Sequence, residues 1–85
     1  MNKKLENLRA IVDEVDSKII NLIYKRAKLV KKIKNYKEKK NMVFIDKVRE
    51  KKIYQRLKKL AKDKKLNEDL IKKLFRLLVR YYDRS

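Results

Sequence analysis

Eighty-five residues carrying a formal net charge of +17 make one small domain, residues 1–85, with a core that is marginal for a monomer. Cysteine and histidine are absent and serine stands only at Ser17 and Ser85, which excludes a disulfide framework, thiolate or imidazole metal sites and Ser-His-Asp chemistry. Lysine supplies 21 of the 28 cations and arginine seven, so the partners to expect are anions: nucleic acid, acidic lipid or small anionic molecules.

The opening MNKKLENLRA has no apolar run suited to a signal peptide, and no stretch approaches the ~18 apolar residues of a membrane span. A soluble, cytoplasmic protein without a membrane partner is expected. Glycine and proline are also absent, so turns fall to Asn, Asp and Lys, which favours few turns and long helices. The first predicted helix runs from about Lys3 to Lys39, on the order of 50 Å at ~1.5 Å per residue. Leu5, Leu8, Val12, Val15, Ile19, Leu22, Leu29, Ile33 and Tyr36 follow one another in steps of three and four, a heptad-like stripe. The single missing step is filled by Arg26, a permanent cation in an apolar seam.

The segment KKNMVFID interrupts that rhythm, and Asp46 is placed to cap a second helix over Lys47–Asp63, with Val48, Ile53, Leu57 and Leu60 inward. After a short KDKKL loop, Asn67 reads as the cap of a third helix. Glu68 and Asp69 lie in its first turn, where the dipole favours anions, and Leu66 with Ile71 can staple its start. Leu70, Leu74, Phe75, Leu78 and Tyr81 carry it to near the C-terminus. The fold expected is all-α, one long and two shorter helices. Two short helices cover a ~50 Å apolar stripe poorly, whereas two chains with their long helices antiparallel bury both stripes. A homodimer is therefore predicted.

Arg26 and Lys37 are eleven residues apart, three helical turns, so they point the same way and lie roughly 16 Å from each other. Both can lean toward a small anion between them. Arg9, about 25 Å before Arg26, cannot reach that anion in its own chain. In an antiparallel pair centred near residue 20, the partner's Arg9 falls opposite residue 31, between the other two cations. DKVRE then opens the second helix: Glu50 can accept from a substrate hydroxyl while Arg49 faces a carboxylate. Arginine grips carboxylate with a planar fork that lysine lacks.

Each residue has a plainer reading. Arg26 can be a polar seam residue that fixes register, and Lys37 is one lysine among 21. Arg49 and Glu50 can be a surface pair, and Arg9 can pair with Asp13 one turn on for a few tenths of a kcal/mol. Tyr81 and Tyr82 read as packing residues. Only the combined spacing favours a site.

Taken together, LRAIVDEVDSKIINLIYKRAKLVKKIKNYK, DKVREKKIYQRL and LIKKLFRLLV resemble the all-helical chorismate mutase family over almost the whole chain. The resemblance implies an intertwined dimer of three-helix chains with two active sites, acting in aromatic amino-acid biosynthesis on chorismate to give prephenate. It implies that Arg26 and the partner's Arg9 hold substrate carboxylates and that Lys37 donates to the ether oxygen of the breaking bond. Arg49 would support the carboxylate network. Glu50 would bind the ring hydroxyl, helped by the backbone near Asp46, and Ile33, Ile53 and Val79 would form apolar walls. Such a pericyclic rearrangement needs no nucleophile, proton relay, metal or cofactor, which accords with the missing histidine.

The chain departs from the family in three places. The family usually carries Gln or Glu on the ether oxygen near the end of the third helix. Aligned from Phe75 that position is 86, one beyond Ser85, so weak turnover is expected. Tyr82 stands where a small polar residue often contacts a carboxylate, which would narrow the pocket. Glycine and proline before the second helix are replaced by Asn41 and Lys47. Rival readings are an isochorismate pyruvate lyase, a non-catalytic basic dimer on nucleic acid, and a purely structural helical dimer. Glu50 after Arg49 argues against the lyase. No RNA- or DNA-binding signature accompanies the charge, and the tyrosines sit at helical spacing rather than on a sheet.

Overall fold

The computed structural model describes residues 2–84. Helix α1 spans Lys3–Lys39, α2 Lys47–Asp63 and α3 Glu68–Leu78, the last running into a five-residue π turn over Val79–Asp83. No strand occurs among the described residues. Asp46 and Asn67 cap as the sequence suggests, accepting from the backbone N–H of Arg49 at 2.9 Å and of Leu70 at 3.0 Å. Asn2 does the same for α1, accepting from Leu5 N–H at 3.1 Å. Each cap satisfies an N–H that the first helical turn leaves without a partner.

Both turns are made without glycine. Asn41 and Lys65 adopt left-handed backbone, with φ of 54° and 57°. The following N–H reaches back across the turn, Met42 to Lys37 O and Leu66 to Ala61 O, both at 2.8 Å. Asn41 and Lys65 themselves donate to Glu38 O and Lys62 O. These paired bonds form the Schellman closure that ordinarily favours glycine at the left-handed position.

The inner face of α2 is the row Ile53, Leu57 and Ala61, four residues apart, which together with Val79 makes the buried core. Val48 and Leu60, expected to point inward, are exposed, because they flank rather than extend that row. The same correction applies to α3. Ile71, Phe75 and Leu78 turn inward, whereas Leu70, Leu74 and Tyr81 face out. The staple around Asn67 is lopsided, since Leu66 is exposed while Ile71 is half-buried. Helices α2 and α3 pack against each other, and among the described residues α1 meets the other helical elements at the C-terminal π turn alone.

The result is a rod with a hairpin attached, 60 × 25 × 16 Å. Its radius of gyration is 16.7 Å, against about 12 Å for a compact chain of this length. No residue of α1 is buried, and the stripe from Leu5 to Tyr36 lies open.

Candidate active site

Helix α1 offers a second, covered face in its C-terminal half. Ile23, Arg26, Ala27, Val30, Lys34 and Lys37 are half-buried at helical spacing. Arg26 therefore stands on the border between two apolar rows: the open stripe through Leu22, Leu29 and Ile33, and the row covered by the C-terminal turn. Its guanidinium is held bidentately by Asp83, Nη1 to Oδ1 at 2.7 Å and Nη2 to Oδ2 at 2.9 Å. This fork-to-carboxylate geometry is the one that gives arginine its selectivity for carboxylates.

Glu50, half-buried in the first turn of α2, receives the next residue. Arg84 donates to it from Nε at 3.0 Å and from Nη2 at 2.6 Å. Its hydrogen bonds to Glu50, and then the charge of that carboxylate, raise the Arg84 pKa above the ordinary arginine value. Two successive residues thus reach Arg26 on α1 and Glu50 on α2, which ties these two candidates to one turn. The π turn makes this possible. Its wider winding, closed by Arg84 N–H to Val79 O at 2.9 Å, rotates the chain relative to a continued α-helix, so that Asp83 faces Arg26. Tyr82, the neighbour expected at the site, borders a shallow groove with Tyr24, Ala27 and Lys31.

The other candidates are distributed more widely. Lys37 is half-buried and leans over the loop after α1, its Nζ 3.4 Å from Phe44 O, a long and weak contact. Arg49 is exposed at the start of α2, and Asp46 spends its carboxylate on the cap. Ile53 and Val79 lie within the core, while Ile33 is 54% exposed on the open stripe. Arg9 is exposed far along α1, outside the reach of Arg26 within one chain. A cavity of about 630 Å³ between α2 and α3 touches the site through Glu50 and Arg84 only; Arg26 and Lys37 do not line it. Among the described residues no group of carboxylates is arranged to hold a metal ion.

Asp83 and Arg84 were missed in the sequence, although one signal was present: Asp83 is the only acid in residues 70–85. A lone carboxylate at the end of a chain so rich in cations has a choice of partners, and the one it takes is decided by the turn.

Three helices with no strand among the described residues, and a C-terminal turn that ties Arg26 on α1 and Glu50 on α2 through two ion pairs, define an all-α protein. Residues 8–82 match the family described as chorismate mutase type II. The chain is 36% identical over 81 residues to the chorismate mutase of Methanocaldococcus jannaschii, covering 95% of this chain and 82% of that protein. It is also 36% identical, over 75 residues, to the bifunctional chorismate mutase/prephenate dehydratase of Buchnera aphidicola subsp. Schizaphis graminum, covering 88% of this chain but only 20% of that larger protein. The chain belongs to the type II chorismate mutase family. Arg9, Arg26, Lys37, Arg49 and Glu50 all fall inside the matched span; Asp83 and Arg84 lie just past it.

Proposed function

We propose that this protein is a chorismate mutase, converting chorismate to prephenate as a homodimer. The observation that carries the reading is the bridging of Arg26 and Glu50 by two successive residues. Once Asp83 and Arg84 give way, Arg26 takes a substrate carboxylate and Glu50 accepts from a ring hydroxyl. Lys37, on the same face of α1, supplies the donor for the ether oxygen. The reaction breaks one C–O bond and forms one C–C bond within a single molecule. Its barrier falls when the dianion is held in the compact conformer that brings the reacting carbons together. Negative charge that grows on the ether oxygen is met by the Lys37 ammonium, and one such preorganised donor is worth ~2.7–4 kcal/mol.

Surface area supports the dimer. The chain exposes 8042 Å², whereas a folded monomer of this mass exposes roughly 5400 Å². The excess, about 2600 Å² per chain, is of the size that obligate homodimers bury. It is contributed in large part by apolar residues of α1. Antiparallel pairing of α1 covers this stripe and carries the partner's Arg9 toward Arg26 and Lys37.

Loss of the diene absorbance of chorismate, with prephenate identified as product, tests the activity. Lys37→Ala is expected to lower kcat by about 100- to 1000-fold with helicity unchanged; near-full turnover by that variant would remove Lys37 from the mechanism. Isochorismate run in parallel is expected to give no pyruvate.

A further inference from the structure

The two residues that fill the site belong to the protein itself. Asp83 offers Arg26 both carboxylate oxygens in the geometry a substrate carboxylate would take. Arg84, the next residue, covers both oxygens of Glu50. The Arg26 and Asp83 side chains are 25% and 18% exposed, so this pair is shielded from solvent and salt more than an open surface pair. Resting on the mutase reading, we propose that Asp83 and Arg84 form a C-terminal clasp over the site, in which Asp83 competes with a substrate carboxylate for Arg26 and Arg84 anchors the turn on Glu50.

Tethering explains why one carboxylate suffices to close the site. A group carried on the same chain competes at an effective concentration in the millimolar range. Opening is a nearly balanced exchange, because Arg26 gives up one carboxylate and receives another while Asp83 moves the short distance into water. A monocarboxylate gains little by that exchange. A dianion gains more, since its second charge is met by Lys37 and the partner's Arg9, so the clasp selects for substrates with two anionic groups. Apparent affinity is reduced by the fraction of molecules in the open state. Asp83 therefore sets KM and leaves the barrier of the bound substrate unaltered.

The test uses the full chain and chorismate. Asp83→Asn, nearly isosteric, is expected to lower KM by about three- to tenfold with kcat within about twofold. Arg84→Gln, which leaves Asp83 in place but frees its anchor, moves KM in the same direction by a smaller factor. An unchanged or raised KM in Asp83→Asn overturns the clasp; if that variant does not fold, Arg84→Gln decides by the same criterion. If neither wild type nor variants consume chorismate, the mutase reading fails separately. Calorimetric titration with malonate then judges the clasp: tighter binding by Asp83→Asn than by wild type supports it, and equal binding overturns it.

Discussion

An arginine whose fork is already filled by a carboxylate of its own chain has shown what ligand it fits. Arg26 takes Asp83 through two nitrogens at once, and that planar demand is specific to guanidinium. Arg26→Lys keeps the charge but loses the second hydrogen bond. Hydrogen bonds to charged groups contribute ~1.5–3 kcal/mol, so kcat/KM is expected to fall by roughly ten- to a hundredfold. Steady-state kinetics of the purified variant checks this, and a variant as active as wild type would show that charge alone is enough. The cation in the seam has two justifications at this scale: an anion to hold, and a place on the border of two apolar rows where its head remains partly wet.

At the scale of elements, the turns concentrate the strain. Lys65 holds φ of 57°, a conformation that costs a residue with a Cβ on the order of 1 kcal/mol. Lys65→Gly removes that cost and gives back part of it through the greater freedom of the unfolded chain. The net gain expected is about 0.5–1 kcal/mol, a rise in melting temperature of roughly 2–8 °C. No rise in a thermal melt would mean that the lysine makes a compensating contact. Asn67→Ala should act oppositely, since loss of its bond to Leu70 N–H removes a cap worth ~1 kcal/mol. The π turn decides what Asp83 meets, because its winding sets that carboxylate on Arg26 while Tyr82 lies along α1 beside Tyr24 and Ala27.

For the whole molecule, the prediction concerns sharing. If each site draws Arg9 from one chain and Arg26 from the other, Arg9→Ala and Arg26→Ala homodimers should each be nearly inactive. A mixed dimer of the two variants then holds one intact site and one doubly impaired site. Activity should reappear when the variants are unfolded together and refolded, reaching up to about a quarter of the wild-type level with random pairing. Refolded mixtures no more active than their parents would place Arg9 outside the site. Analytical ultracentrifugation should find a dimer, and Ile19→Glu, in the middle of the open stripe, should shift it toward monomer and lose activity in parallel.

The helices were legible in the sequence because their signals are local. Asp46 and Asn67 cap where a short oxygen-bearing side chain precedes an apolar rhythm, and the absence of glycine and proline left little room for other structure. Family membership was legible too, carried by an ordered set of spacings rather than by any one residue. Which apolar row faces inward was not. Val48 and Leu60 have the hydrophobicity of core residues, and only the packing of α2 against α3 selects Ile53, Leu57 and Ala61 instead. The contacts of Asp83 and Arg84 are further still from sequence reach. They span 57 and 34 residues and exist only because the chain widens into a π turn. Periodicity and capping depend on neighbours three or four positions away, which the sequence displays directly. The pairing of opposite charges across the fold depends on the rotation of one turn, and that was decided by tertiary structure.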